Sequence, residues 1–231
     1  MALARVLVAA CVALLATACT DGDERTPAAQ DGGTSADPAP PGAVVLVDGV
    51  PITRDEVERW AAWIAAVEPQ YVPDARRRFA LTNGLLERAA LRAARGDERR
   101  AAEARARAAA SQLALEPSVA PEGATRQTVE GSWHTLGIQL WGELQPTRPG
   151  VWIGPIERLG TFTLARVTSS RHEHGIEVLV VELVDYPFLE PESARRDLAR
   201  AVDDARLTIV DPDYEAIVPE AWKYRMDGPE R

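Results

Sequence analysis

The first 42 residues contain no segment that can join a hydrophobic core, so any compact fold must come from the residues that follow. Residues 6–15 are apolar, come after Arg5 and precede small residues, a layout typical of a secretory signal and too short to span a bilayer comfortably. Residues 20–42 are rich in Pro, Gly, Ala and acidic residues and have no apolar periodicity, which indicates a disordered tether. The remaining body of about 185 residues suits one domain or two packed lobes.

Both cysteines of the chain lie in this N-terminal region, at Cys11 and Cys19. The sequence LATAC at 15–19 resembles a bacterial lipobox, which implies a signal peptide over 1–18, a lipid-modified Cys19 and a tether over 19–42. The alternative is an ordinary signal peptide cut near Ala18 that leaves Cys19 as a free thiol. In either case the body has no disulfide, thiolate metal site or cysteine nucleophile.

Acidic residues outnumber basic ones by 35 to 26, and the formal charge is −9. A nucleic-acid-binding protein usually presents a basic surface to the phosphates. The composition therefore argues against nucleic acid as a partner.

A hairpin followed by three helices is predicted for the first part of the body. Short β-branched runs flank Asp48-Gly49, a strong two-residue turn. Thr53 and Glu56 then form a capping box, and helical spacing continues through Val57, Trp60, Ile64 and Val67. A second helix follows Pro73 and is expected to end at Gly96 as its C-terminal cap. Residues 97–115 predict a third helix with a thin apolar face, packed lightly or presented to a partner.

The second part of the body predicts strands. Residues 118–131 are expected to form a loop, while 161–167 and 176–184 predict a β-hairpin. A helix is expected over 192–205 and a strand over 206–210, so the fold class is α+β. An irregular tail over 211–226 is expected to be held by four packing residues, Tyr214, Ile217, Trp222 and Tyr224.

Two adjoining segments, VVLVDGVPITRDEVERW and FALTNGLLERAALRAARG, resemble the N-terminal region of SurA-type periplasmic chaperones and their parvulin-type prolyl isomerase relatives. The first motif is matched by Asp48, Gly49, Ile52, Thr53, Glu56 and Val57, and the second by Leu81, Leu85, Leu86, Ala89, Ala90 and Gly96. The resemblance implies a SurA N-terminal-like helical lobe over 43–117. It also implies that 189–231 return to this lobe and add a strand beside 44–47. A generic hairpin with two helices is the alternative.

A second resemblance covers 150–160, which is similar to the end of a parvulin domain. Gly154, Pro155, Ile156 and Gly160 match that pattern, but Phe162 stands where the family's active-site histidine would lie. The resemblance therefore implies a reduced, degenerate parvulin-like antiparallel β region over 118–188, with no catalytic residue assigned.

These observations predict a lipid-anchored envelope protein that faces the periplasm and is chaperone-like. It would hold unfolded or extended polypeptide clients in an apolar groove lined by Trp60, Trp63 and Phe79, attached to the membrane through Cys19. Two alternatives are an active prolyl isomerase with an atypical pocket and a dedicated assembly subunit of an envelope complex. No cofactor is expected, and the oligomeric state is left open.

No metal site is expected. His172 and His174 could contribute two ligands from one side of an extended segment, but a third ligand at suitable spacing is missing. The preferred interpretation is that both are exposed turn residues.

Overall fold

The computed structural model describes residues 39–118, 121–190 and 192–226. The predicted signal peptide, Cys19 and the tether up to residue 38 lie outside the described residues. The described chain is a mixed α and β structure with two antiparallel sheets, so the predicted α+β class is confirmed.

Strands and helices alternate in blocks along the chain. The strands are β1 (Ala43–Val47), β2 (Val50–Thr53), β3 (Thr125–Gly131), β4 (Ile153–Arg158), β5 (Thr161–Glu173), β6 (Ile176–Pro187) and β7 (Leu207–Ile209). The helices are α1 (Arg54–Val67), α2 (Pro73–Ala80), α3 (Leu86–Ala94), α4 (Gly96–Leu115), α5 (Trp133–Leu136), α6 (Ile138–Leu144), α7 (Ala194–Asp204) and α8 (Glu220–Lys223). A π-helical turn, Leu81–Leu85, connects α2 to α3.

The smaller sheet has the order β2-β1-β7. Asp48 and Gly49 form the predicted turn, both with a left-handed φ, of 47° and 79°. β7 runs antiparallel to β1, with Val45 opposite Ile209. The predicted return of the C-terminal segment to the first strand is therefore confirmed.

Helix α1 begins at the predicted capping box. The Thr53 hydroxyl accepts a hydrogen bond from the Glu56 backbone N–H at 3.3 Å, and the Glu56 carboxylate accepts one from the Thr53 N–H at 3.0 Å. The same helix turns Val57 and Ile64 into the core beside β1 and β2. A local hydrogen-bonding pattern thus fixes the direction of α1 from the hairpin.

The second predicted helix is interrupted. The backbone at Gly84 leaves helical geometry, with φ at 171° and ψ at −43°. A Cβ at this position would lie 2.4 Å from the Trp60 ring, so only glycine allows that ring to approach the chain so closely. The prediction that Gly96 caps the helix is wrong, because α3 ends at Ala94, Arg95 is its C-cap, and Gly96 is already the first residue of α4.

The larger sheet has the order β3-β6-β5-β4. The predicted hairpin is confirmed as β5 and β6, and the predicted loop is wrong, because its second half is β3. Backbone pairing with β6, from Thr125 opposite Asp185 to Gly131 opposite Leu179, holds β3 at the sheet edge. Most β3 side chains are polar and exposed, as suits an edge strand.

Helices cover both faces of this sheet. On one face α4 packs its small residues Ala102, Ala106 and Ala109 beside Phe162 and Leu164. On the other face α5 and α6 form a second core with side chains that include Ala165, Val167 and Leu183. The thin apolar face of α4 is therefore used within the chain, because alanines let the helix lie close to the sheet.

A third core joins the smaller sheet to α1, α3, α7 and the tail. Tyr214, Ile217 and Trp222 are buried in it as predicted. The prediction for Tyr224 is wrong, since its side chain is 89% exposed. We call the smaller sheet with α1–α3, α7 and α8 the first lobe, and the larger sheet with α4–α6 the second lobe.

Candidate binding cleft

A cleft of about 380 Å³ lies where the first lobe meets the second. Helices α1 and α3 form one side, and α6 and β4 form the other. Its lining consists of Glu56, Arg59, Trp60, Trp63, Arg88, Arg92, Gln139, Glu143, Ile153, Gly154, Pro155, Ile156 and Glu157. Six of these residues are charged, and they converge on a cleft that also contains two tryptophan rings and a proline. Apolar and aromatic surface beside converging polar groups is found in ligand sites.

A larger hollow of about 880 Å³ lies between the α3–α4 junction, α7 and the β1–β2 turn. Its lining is dominated by charged side chains, some of which pair with each other, as Arg95 does with Asp197 and Arg100 with Asp97. These charged groups are thus engaged with each other, and no aromatic side chain is among the described residues that line the hollow. The smaller cleft combines charged groups with two tryptophan rings and a proline, so it is the better candidate for a binding site.

Two tryptophans from α1 form the aromatic wall of the cleft. The ring centroids of Trp60 and Trp63 are 5.9 Å apart and the ring planes are tilted by 48°. Trp60 is 6% exposed and lies against Gly84, whereas Trp63 is half-buried and lies against Gly142 of α6. A Cβ on Gly142 would approach the Trp63 ring to 2.4 Å. Close contact with glycine backbone therefore fixes both rings.

Gly154 and Pro155 of β4 lie across the cleft from this wall. Gly154 has φ at 116°, and a Cβ there would lie 2.7 Å from the Thr163 carbonyl oxygen. Pairing with β5 is irregular between Ile153 and Ile156. This irregularity presents Pro155 to the cleft beside the two tryptophans.

The other two isomerase-like positions lie elsewhere. Gly160 is in the β4–β5 turn beneath Leu189, with φ at 79°. Phe162 is 2% exposed and packs in the core under α4, where the Arg99 guanidinium carbon lies 5.3 Å from its ring centroid. A histidine in place of Phe162 would therefore belong to that core, directly opposite Glu157 of β4.

The floor of the cleft holds a network of buried charges. Glu157 accepts hydrogen bonds from Nε of Arg92, 3.1 Å from each carboxylate oxygen, and from Nε and Nη2 of Arg99 at 3.0 and 2.9 Å. Arg92 also lies 3.4 Å from Glu56. Burial alone would raise the pKa of Glu157, but the hydrogen bonds from Arg99 and Arg92 outweigh it and lower that pKa. Glu157 is therefore held as a carboxylate.

Arg88 differs from its neighbours because no described carboxylate forms an ion pair or hydrogen bond with it, although Glu157 and Glu56 act on it from a greater distance. Its side chain is 8% exposed, and among the described residues its buried Nε has no hydrogen-bond partner. Its guanidinium carbon lies 5.9 Å from the Trp60 ring centroid. Burial and the nearby positive charge of Arg92 lower its pKa to about 10, despite the opposing effect of Glu157. Arg88 is still a cation at neutral pH.

Two of the three predicted groove residues meet here. Trp60 and Trp63 line the cleft, but Phe79 is on α2, where it packs against the first core and its ring centroid lies 6.4 Å from that of Tyr71. The predicted groove is therefore wrong for Phe79, and of its three residues only Trp60 and Trp63 line the cleft. The sequence analysis also missed Arg88, although one signal was available, since it lies three positions from both Leu85 and Leu91 on a buried helix face.

His172 and His174 are exposed at the end of the β5–β6 hairpin, where the preferred interpretation placed them. Within the described part of the chain, no group of three His, Cys, Asp or Glu residues is placed to hold a metal ion. Over the same residues, no helix has the length and apolar character needed to cross a membrane.

Comparisons with protein-family models, with curated proteins and with solved structures find no match for this chain. The resemblance to SurA-type chaperones therefore rests on the sequence motifs and stays a prediction.

Proposed function

We propose that this protein binds unfolded or extended polypeptide segments in the cleft between its lobes, as a chaperone-like protein held at the bacterial envelope by a lipid on Cys19. In this proposal the first lobe is SurA N-terminal-like and the second is a reduced parvulin-like β region. The observation that carries the proposal is that a pair of tryptophan rings and Pro155 line the same cleft.

The spacing of the rings suits an extended chain. Residues two apart in a strand place their side chains on one face, about 6.6 Å from each other. The centroids of Trp60 and Trp63 are 5.9 Å apart, so neighbouring side chains of one face could each contact a ring. A volume of about 380 Å³ is near the lower end of the range for ligand sites, roughly 300–1,000 Å³, and accommodates a short segment.

Chain topology also supports the proposal. The segment that forms α7 and β7 returns across the chain to pair with β1, as expected from the resemblance. This arrangement inserts the second lobe between two parts of the first, so that β4 and α6 lie beside α1 and α3.

The isomerase alternative draws no support from the cleft. Phe162 stands where the isomerase family would have its histidine and is buried under α4, and no histidine is among the described residues that line the cleft. We therefore propose capture of polypeptides without catalysis.

Capture of unfolded proteins by the full chain in detergent micelles tests the proposal. Two unrelated clients, an unfolded outer-membrane β-barrel protein and reduced carboxymethylated α-lactalbumin, should both be kept from aggregating. Trp63→Ala should weaken capture of both clients. Trp133→Ala is the matched control, because Trp133 is also half-buried but stacks on His134 in α5.

Light scattering measures aggregation, and thermal unfolding checks that each variant is folded. Undiminished capture by folded Trp63→Ala would contradict the cleft as the site. Capture of neither client by the wild-type chain would contradict the general role and favour the dedicated assembly subunit.

A further inference from the structure

Arg88 is a buried cation without a counter-charge at the inner end of the cleft. A guanidinium has five N–H donors, yet in the described chain Arg88 makes no hydrogen bond or ion pair, and its Nε is fully buried. Burial of an uncompensated charge is costly, and buried polar groups in folded proteins almost always have partners. The guanidinium of Arg88 therefore has no hydrogen-bond acceptor within the described chain, and a bound molecule could supply one.

The nearest carboxylates are already engaged. Both oxygens of Glu157 accept hydrogen bonds from Arg92 and Arg99. One oxygen of Glu56 accepts from the Thr53 N–H, and the other lies 3.4 Å from Arg92. Both carboxylates are thus committed to other cations or to the helix cap.

Two further charged groups line the cleft. Arg59, on the exposed side of α1, and Glu143, on α6, make no hydrogen bond or ion pair to any described residue. Uncompensated charge in the cleft therefore comprises two arginines and one glutamate. Among these three unpaired groups, positive charge exceeds negative charge by one.

We propose that the cleft binds a carboxylate group of a polypeptide, with its two oxygens accepting hydrogen bonds from the Arg88 guanidinium while the adjoining apolar atoms contact Trp60 and Trp63. This inference rests on the proposed function and names the group that the cleft recognises. The planar guanidinium fork matches a carboxylate in a bidentate manner. The low exposure of Arg88 strengthens such a contact, because little water competes for it.

A carboxylate fits better than a phosphate. The three unpaired lining groups, Arg59, Arg88 and Glu143, carry a net charge of +1. One carboxylate neutralises that charge, whereas a doubly charged phosphate would leave an unpaired negative charge in the cleft. The carboxylate can come from the C-terminus of a chain or from an Asp or Glu side chain, and the experiment separates these sources.

Calorimetric titration of the full chain in detergent micelles with three peptides tests the inference. The probes are acetyl-Gly-Ala-Leu with a free C-terminus, the same peptide with an amidated C-terminus, and amidated acetyl-Gly-Asp-Leu. At least one peptide with a carboxylate should bind about tenfold or more tightly than the neutral one, as charge-assisted hydrogen bonds are about twice as strong as neutral ones. Preference for the first peptide identifies the C-terminus as the source, and preference for the third identifies a side chain.

Arg88→Met should abolish the preference for a carboxylate. Arg107→Met is the matched control, since Arg107 is exposed on α4 and pairs with Glu103, and it should keep the preference. Glu143→Gln removes a repelling charge from the cleft and should tighten binding of the carboxylate peptide about threefold.

Equal binding of all three peptides, or binding of none, would overturn the inference, and so would an unchanged preference in folded Arg88→Met. If Arg88→Met does not fold, the peptide comparison on the wild type and on Glu143→Gln decides. Failure of the proposed function is recognised separately, because it is measured by capture of unfolded clients. Capture of clients without a carboxylate preference would refute only the role of Arg88.

Discussion

Replacing Gly142 by alanine tests the close contact that joins the two lobes at the cleft. The added Cβ would lie 2.4 Å from two atoms of the Trp63 ring, whereas carbon atoms pack best about 3.5–4.0 Å apart. The ring or α6 must therefore move by about 1 Å or more. Overpacking of this kind costs about 1–3 kcal/mol.

Helix propensity opposes this cost. Alanine is favoured over glycine inside a helix by about 1 kcal/mol, and Gly142 lies within α6. The expected net destabilisation of Gly142→Ala is therefore about 1 kcal/mol, with about 2 kcal/mol as the upper end. For a body of this size, 1 kcal/mol lowers Tm by about 2–4 °C.

Thermal unfolding of a double-mutant cycle measures the contact directly. Gly142→Ala is compared in the wild type and in Trp63→Leu, where a smaller side chain leaves room for the Cβ. Alanine should destabilise the first and leave the second unchanged or more stable, a coupling of about 1 kcal/mol or more. Gly96→Ala is the control, because its Cβ meets only the flexible end of Arg100, at 3.3 Å.

The reasoning is refuted if Gly142→Ala unfolds at or above the wild-type temperature, or if its effect is the same with tryptophan and leucine at position 63. Either result would mean that Trp63 is free to move without cost.

Three further predictions concern other parts of the fold. Glu157→Gln should lower the free energy of unfolding by about 2–4 kcal/mol at neutral pH, because it removes the buried carboxylate shared by Arg92 and Arg99 and leaves them only the more exposed Glu56 and Glu103. Denaturant unfolding measures this loss, and a loss below about 0.5 kcal/mol would contradict the prediction. The pKa of Glu157 in the folded protein lies below its unfolded value of 4.5. The stabilising effect of its carboxylate is therefore present above pH 4.5 and is lost as the pH falls through the folded pKa. The stability difference between the wild type and Glu157→Gln should accordingly shrink in acid. Leu207→Ala should lower the free energy of unfolding by about 2–5 kcal/mol, because this fully buried side chain belongs to β7, the last strand of the smaller sheet. A Tm within about 2 °C of the wild type would argue against that role. Phe162→His should destabilise the protein and confer no acceleration in a proline-limited refolding assay, since the side chain lies in the core under α4; strong acceleration would revive the isomerase alternative.

Local patterns in the sequence were sufficient for the first hairpin and α1. Asp48-Gly49 determines its turn from its own backbone preferences, and Thr53 with Glu56 determines a helix start within four residues. The pairing of β7 with β1 was expected only from a resemblance, since no local pattern in a three-residue strand indicates a distant partner.

The features that the sequence analysis missed depend on distant neighbours. β3 is mostly polar and four of its seven residues are exposed, and its strand conformation comes from backbone pairing with β6. Gly84 interrupts the second helix because Trp60 from another helix lies against it. Arg88 looks like any arginine of a charged helix until α6 and β4 cover it. The partners in these three cases, which are β6, Trp60, and α6 with β4, lie too far away in the sequence for a local pattern to indicate them.

The closure of the first sheet by β7 has a consequence for biosynthesis. Asp48 accepts a hydrogen bond from the backbone N–H of Arg206, 158 positions further along the chain. At about 5–20 residues per second, roughly 8–30 s separate the emergence of these two residues from the ribosome. Throughout that interval β1 has one unpaired edge, which is an aggregation hazard. A chain truncated after β6 would never lose that edge, and quality-control proteases should remove it more readily than the complete chain.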